Sequence, residues 1–81
     1  MPVEFLMKQM EWREALDESI ENLTELESLA SEVHRARDES IVRLTEEFEK
    51  SAYQTAVETL RGLLFIEKFA AELDDAIAEL V

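Results

Sequence analysis

The scarcity of turn-forming residues limits this chain more than any other feature. Its 81 residues include one glycine, Gly62, and one proline, Pro2, at the very start. Few tight turns can be built from such a composition. Ala, Leu and Glu, which favour helices, dominate the sequence. The sequence therefore predicts an all-α fold: one domain over residues 1–81, a three-helix bundle with long helices and short connections.

Capping patterns predict where the helices begin and end. The first helix starts beside Pro2, which a first helical turn tolerates. Asn22 is the predicted break, and a Thr-x-x-Glu capping box at Thr24 follows it. A Ser-x-x-Gln box at Ser51 opens the last helix, so that Glu49 and Lys50 form the preceding connection. The predicted helices are about 3–21, 25–49 and 52–80.

Apolar side chains recur at helical spacing and predict the core. In the first helix the core stripe is Phe5, Trp12, Leu16 and Leu23, with Ile20 at its edge. In the second it is Leu26, Ala30, Val33, Ile41, Leu44 and Phe48, flanked by Leu29 and Ala36. The third helix has two offset stripes, Tyr53, Ala56, Val57, Leu60 and Leu64, then Ile66, Ala70, Leu73, Ile77 and Leu80. Phe65 belongs to neither stripe, which makes it a candidate for exposure, and Phe69 lies close to it on the same side.

Arg37 lies near the middle of the second stripe, where a charge is unexpected. Its side chain either extends past its own methylenes to water or pairs with an inward carboxylate of another helix. The first alternative is favoured, because buried paired charges are rare.

Net charge and composition exclude several classes of partner. A net charge of −12 would repel nucleic acid and anionic membranes, so a neutral or basic protein is the expected partner. No apolar run approaches the roughly 20 residues of a membrane span. The chain has no cysteine and its start does not have the pattern of a signal peptide, which together favour a cytoplasmic protein. The opening Met-Pro-Val-Glu would suit a piece of a longer protein.

The sequence offers few groups for catalysis, metal binding or a cofactor. His34 is the only histidine, and Ser31 occupies the position three residues earlier where helical di-iron sites place glutamate. One histidine without cysteine makes a zinc site improbable. Arg37 is the only candidate for an inward basic residue, so a small helical lyase or mutase has weak support. We expect a protein that is not an enzyme and holds no cofactor.

The first helix has a second apolar surface that the core stripe does not explain. Val3, Met7 and Met10 lie on roughly the opposite side, and Glu11, Glu14 and Glu18 continue that side toward the C-terminus. These methionines either pack against the bundle or a neighbouring domain, or form a binding patch. The acidic continuation favours a partner site, because apolar centres beside charge of one sign are typical of electrostatically steered interfaces.

Two segments resemble a known family. Phe5-Leu6-Met7-x-Gln9-Met10-Glu11-x-Arg13-Glu14-x-Leu16-Asp17-Glu18 resembles the first helix of the C-terminal domain of HscB, a family of J-type co-chaperones for iron–sulfur cluster assembly. Leu60-Arg61-x-Leu63-Leu64-Phe65-Ile66-Glu67-Lys68 is similar to the last helix of that domain. Met10 and Trp12 stand where other members often have leucine. Lys8 adds a positive charge to an acidic helix, which could change affinity.

The resemblance implies a three-helix bundle that binds the scaffold protein on which clusters are built (IscU-type) and delivers it to a specialised Hsp70. The matching scaffold-binding positions are Leu6, Met7, Met10, Glu11, Glu14, Glu18 and Phe65. The His-Pro-Asp tripeptide of J domains is missing, since Arg35 follows His34. We therefore expect the client-binding half alone, with no J domain. The alternative is a structural bundle that self-associates through its methionine patch.

Overall fold

The computed structural model describes residues 3–81, which form three α-helices and no strand. The helices are α1 (Val3–Glu18), α2 (Leu23–Glu49) and α3 (Tyr53–Ala78). This arrangement confirms the predicted all-α architecture with long helices and short connections. The predicted place of Pro2 beside the first helical turn lies outside the described residues.

Two long helices and one short helix make up the bundle. α2 and α3 have 27 and 26 residues, whereas α1 has 16. α2 and α3 pair along their lengths as an antiparallel hairpin, in a molecule 44 Å long. At about 1.5 Å per residue, α1 is too short to cover this hairpin. It lies over the half that contains the end of α3, and leaves the half around Lys50 without a third helix.

The hydrophobic core lies where all three helices meet. Its buried members are Trp12 and Leu16 of α1, Leu26, Leu29 and Val33 of α2, and Ile66, Phe69, Ala70, Leu73 and Ala76 of α3. The rings of Trp12 and Phe69 stack with centroids 5.7 Å apart. The predicted core is confirmed for Trp12, Leu16, Leu26, Leu29, Val33, Ile66, Ala70 and Leu73. Phe69 and Ala76, which belong to no predicted stripe, are buried as well.

The predicted core is wrong in the half of the hairpin that α1 does not reach. α3 has one continuous buried stripe that runs from Ala56 through Gly62 to Ala76, with no offset. Ala56 is buried as predicted, but several other predicted core residues of the hairpin are exposed, namely Ile41, Phe48, Tyr53, Val57, Leu60 and Leu64. Ile20, just after α1, and Leu80, just after α3, are exposed as well. Leu23, Leu44 and Ile77 are only partly buried. Periodicity found the apolar stripe of early α3 correctly, but no element of the described residues covers it.

Asn22, and not Thr24, caps α2. The Asn22 side-chain oxygen accepts a hydrogen bond from the backbone N–H of Glu25 at 3.1 Å. Asn22 has extended backbone angles, φ −120° and ψ 100°, as an N-cap residue requires. The chain must therefore leave α1 before this position, so α1 ends at Glu18, three residues earlier than predicted. The predicted break at Asn22 is confirmed, and the predicted capping box at Thr24 is wrong.

Ser51 ends α2 instead of capping α3. Its backbone φ is +57°, and its N–H donates to the Phe48 carbonyl oxygen. The next N–H, of Ala52, donates to the Glu47 carbonyl oxygen at 2.8 Å. This pair of bonds is a Schellman motif, in which the left-handed residue is usually glycine. Because Ser51 is used in this turn, the predicted Ser-x-x-Gln box does not form, and α3 has no side-chain cap.

Gly62 allows α1 to lie close to α3. A methyl group at this position would lie 3.2 Å from Cε2 of the Phe5 ring. The glycine therefore provides room for Phe5, which is partly buried and packs against the core. α3 continues through Gly62 without interruption, from Tyr53 to Ala78.

Arg37 forms its ion pairs near the surface. Its Nε lies 3.7 Å from Oε1 of Glu67 on α3 and 3.8 Å from Oδ1 of Asp38. Both carboxylates are mostly exposed, so the predicted extension toward water is confirmed and an inward carboxylate partner is not found. An inward-facing arginine, which the enzyme alternative requires, is therefore missing at this position.

The two candidate caps of α2 can be separated by alanine substitution. Asn22→Ala removes the acceptor for the Glu25 N–H, and we expect a loss of about 1 kcal/mol in the free energy of unfolding. Thr24→Ala removes only an exposed side chain within the first turn, and we expect a change of less than about 0.5 kcal/mol. Urea unfolding followed by circular dichroism measures both. A larger loss in the Thr24→Ala variant would contradict the assignment of the cap.

Candidate protein-binding surface

The two predicted faces of α1 are separate in the structure. Trp12 and Leu16 are buried against α2 and α3. Leu6, Met7 and Met10 are between 47% and 65% exposed, and Val3 is more exposed still. At about 100° per residue, the exposed residues centre opposite the buried pair. The alternative in which the methionines pack within the bundle is therefore wrong for residues 3–81.

The acidic residues continue this exposed face. Glu11, Glu14 and Glu18 are all exposed and follow Met7 at spacings of three or four residues. Such positions lie above one another on a helix, so the apolar start of the face joins directly to a negative strip. We call the seven predicted positions the α1 face; its members are Leu6, Met7, Met10, Glu11, Glu14, Glu18 and Phe65.

Phe65 joins the α1 face from α3. Its half-buried ring lies edge-on to Phe5, with centroids 5.7 Å apart, and parallel to Phe69 at 6.1 Å. A shallow hollow of about 380 Å³ connects it to α1 and is lined by Gln9, Met10, Arg13, Glu14 and Phe65. The tertiary structure thus brings Phe65 together with Met10 and Glu14, while Met7, Glu11 and Glu18 lie further round the helix. Phe65, a candidate for exposure from its position off both stripes, is half-buried.

Arg13 is part of this surface, although the sequence analysis assigned it no role there. Its guanidinium nitrogen lies 2.5 Å from a Glu72 carboxylate oxygen, and its Cζ lies 5.3 Å from the Phe69 ring centroid. These contacts hold α1 against α3 beside the hollow. Helical spacing within α1 contains no signal for them, because both partners lie on α3. Arg13 also provides a fixed positive charge next to the acidic strip.

The Lys8 side chain points toward α2 and is not a member of the α1 face. Its Nζ lies 3.2 Å from Oε1 of Glu32 on α2, and 6.0 Å from the centroid of the Trp12 ring. The closest oxygen of Glu11 is 3.9 Å away. Lys8 therefore helps to hold α1 against α2, and its charge partly compensates one end of the acidic strip.

Residues 3–81 contain no group of three or more histidine or acidic side chains placed to hold a metal ion. No helix among them is long and apolar enough to cross a membrane.

Comparison with known protein families shows which family this chain is related to. The family model described as the HSCB C-terminal oligomerisation domain matches residues 1–74. The chain belongs to this family. The match spans α1, α2 and most of α3, and so includes every member of the α1 face. The predicted resemblance is thereby confirmed.

Curated relatives carry the same family name. A protein of Azoarcus sp. (strain BH72), named "Co-chaperone protein HscB homolog", is 41% identical over 99% of the chain and 47% of its own length. Homologues of that name from Paraburkholderia phymatum and Burkholderia vietnamiensis are 38% and 37% identical, over 94% of the chain and 45% of their own lengths. The HscB domain therefore spans about half the length of the relatives it matches. No solved structure is significantly similar to it.

Proposed function

We propose that this HscB C-terminal domain binds the scaffold protein of iron–sulfur cluster assembly and presents it to a specialised Hsp70. The observation that carries the proposal is the α1 face, an exposed apolar cluster joined to an acidic strip in a domain of the HscB family. The contact with the Hsp70 is assigned to the J domain of the family, outside the α1 face. The proposed location is the cytoplasm, and the proposed role is recognition without catalysis.

The apolar centre would supply most of the binding energy. Leu6, Met7 and Met10 lose solvent contact when a partner covers them, and Phe65 offers a ring that Phe5 and Phe69 already hold in place. Residues held rigid before binding lose less conformational entropy in the complex. Methionines adapt to the shape of the opposite surface because their side chains are unbranched and flexible. Truncating this centre should therefore cost more than removing a rim carboxylate.

The acidic strip would select a basic partner surface. Glu11, Glu14 and Glu18 add a local negative field to a domain whose net charge is already −12. Fields of this kind accelerate the encounter with an oppositely charged partner and disfavour acidic proteins. The scaffold surface that docks here should accordingly carry lysine or arginine around an apolar patch.

Titration of a cluster scaffold protein with two matched double variants tests the proposal. Met7→Ala/Met10→Ala removes the apolar centre, and we expect Kd to rise at least about tenfold. Leu60→Ala/Leu64→Ala removes two apolar side chains of α3 that are 42% and 61% exposed and lie away from the α1 face. For this control we expect Kd to stay within about twofold of the unmodified domain. Calorimetry measures Kd, and circular dichroism checks helix content. Unchanged affinity in the methionine variant would refute the proposed site.

A further inference from the structure

A groove between α2 and α3 lies beyond the start of α1. It has a volume of about 690 Å³, and Phe5 and Trp12 of α1 line one end of it. From there it follows the half of the hairpin that α1 does not reach. Among the described residues that line the groove, none belongs to the α1 face. The groove is therefore separate from the proposed scaffold site.

Both walls of the groove repeat at helical spacing. On each helix, four lining residues are separated by intervals of four, three and four. On α2 they are Ala36, Ser40, Arg43 and Glu47. On α3 they are Thr55, Thr59, Gly62 and Ile66. Side chains at this spacing form the stripe with which a helix faces another helix packed against it. From Ala36 to Glu47 the wall is about 16 Å long, which is about three helical turns.

The groove has room for the backbone of another helix. Ala36, Ser40 and Gly62 are small, and the distance between two packed helices depends on the size of the side chains at their contact. α1 already uses the start of this seat, since its Phe5 ring lies 3.2 Å from the place of a Cβ on Gly62. A further helix in the groove would continue the line of α1 along the hairpin.

One carboxylate of the groove lacks a partner. Oε1 of Glu47 is buried and accepts no hydrogen bond from residues 3–81. The only other buried side-chain polar atom of these residues without a partner is Nε1 of Trp12, which lines the opposite end of the groove. A buried acceptor without a donor is unfavourable. The last side-chain torsion of glutamate is soft, so rotation can present either oxygen to a donor in the groove. A cationic side chain is the strongest such donor.

The charges along α2 define which helix would fit. Glu39, Arg43 and Glu47 all line the groove, are four residues apart, and so form a row along one side of α2. None of them forms an ion pair with another of the residues 3–81. The complementary row on a docked helix is basic, acidic and basic at the same intervals. This order is the same in both directions, so a helix of either orientation fits.

We propose that this groove docks an amphipathic helix of another protein, with a basic, an acidic and a basic residue at four-residue intervals along one edge. The docked face is apolar, to pack against Ala36, Gly62 and Ile66. The basic residue at the end away from α1 gives Glu47 its missing donor. Because the α1 face stays accessible, the domain can hold this partner and the scaffold at the same time.

A synthetic helix of about four turns tests the charge pattern. One form carries the lysine–glutamate–lysine row, and a charge-inverted form carries glutamate–lysine–glutamate on the same apolar face. By fluorescence anisotropy, we expect the unmodified chain to bind the first form at least about tenfold more tightly than the second. Glu39→Lys/Arg43→Glu/Glu47→Lys should reverse this preference. The two lysines add four charge units and the glutamate removes two, so this variant still has a net charge of −10. Net charge therefore cannot produce the reversal.

Glu46→Lys/Glu49→Lys is the matched control, because both residues lie on α2 outside the lining of the groove. This variant should keep the preference of the unmodified chain. An unchanged preference in the triple variant would overturn the proposal, as would the absence of binding of either form up to about 1 mM.

A bulky side chain tests the location. Ser40→Trp fills the groove, and we expect its affinity for the lysine–glutamate–lysine helix to fall at least about tenfold. Val42→Trp adds the same group at a 59% exposed position outside the lining, and should change the affinity by less than about twofold. Circular dichroism checks helix content. Equal effects of the two variants would overturn the proposal.

Sedimentation distinguishes another protein from a second copy of this chain. A dimer of the unmodified chain that Ser40→Trp converts to a monomer would assign the groove to the second copy and overturn the proposal. None of these variants changes the α1 face, and scaffold affinity is measured separately. Either proposal can therefore fail alone.

Discussion

Replacing Phe69 by alanine is expected to remove about 3–5 kcal/mol from the free energy of unfolding. Phe69 is 1% exposed and is one of the largest fully buried side chains of the described residues. Its ring stacks on Trp12 and on Phe65, and Arg13 lies over it. A cavity there would separate α1 from α3. Since small domains have total stabilities of only about 5–15 kcal/mol, this variant should be largely unfolded in mild urea.

Phe48→Ala is the matched control for this prediction. It deletes the same atoms from a phenylalanine that is 55% exposed and contacts Tyr53. We expect a loss below about 1 kcal/mol, because little apolar surface returns to water. Urea unfolding of both variants, followed by circular dichroism, measures the difference. Similar losses in the two variants would contradict the assigned core.

Reversing two charges of the acidic strip is expected to slow scaffold binding strongly. Glu11→Lys/Glu14→Lys replaces negative charge by positive charge at the centre of the proposed contact. We expect the association rate constant at low salt to fall by a factor of about 10–100, because steering toward a basic surface becomes repulsion. The dissociation rate constant should change less, since exposed charges mainly affect the encounter. Stopped-flow mixing with a cluster scaffold protein, at two ionic strengths, measures both constants.

A second pair of glutamates separates the local effect from the overall charge. Glu46 and Glu49 are exposed on α2, have the same spacing as Glu11 and Glu14, and lie far from the α1 face. Each substitution adds two positive units, so both variants carry a net charge of −8 instead of −12. We expect Glu46→Lys/Glu49→Lys to slow association by less than about threefold. Equal slowing by both variants would mean that the partner responds to net charge alone.

The members of the candidate site on α1 could be predicted from the sequence, whereas its member on α3 could not be predicted from spacing. The exposed members on α1 follow from spacing, because a helix carries Met7, Met10 and Glu14 to one side whatever its neighbours are. Phe65 was predicted to belong to the site only from the resemblance. Local spacing cannot connect it to residues of α1, which lie more than 50 positions away in the sequence. Arg13 was missed as a surface residue for the same reason: Glu72 and Phe69, which hold its guanidinium, lie on another helix.

The capping errors have a related cause. Thr24 and Ser51 both stand in sequences that can form capping boxes. Asn22 caps the N-terminus of α2, and its backbone has the extended conformation that an N-cap residue requires. Ser51 adopts the left-handed conformation in the turn that ends α2, so it does not cap α3. One helix cap stabilises a protein by only about 1 kcal/mol more than an alternative cap nearby. The packing of the helices, which decides where the chain must turn, involves larger free energies and therefore determines which cap forms.

Composition and periodicity alone determined that this chain forms three helices and that α1 has two apolar sides. Both properties depend on local propensity and on the fixed rotation per residue, which the sequence contains in full. The tertiary structure decided which apolar stripes become core. An apolar stripe becomes core only where another helix packs against it. The side of α3 that carries Phe69 and Leu73 is covered, whereas Tyr53, Leu60 and Leu64 lie on the opposite side of α3 and stay exposed. The α1 face stays exposed for the same reason: there are more apolar stripes than helices to cover them.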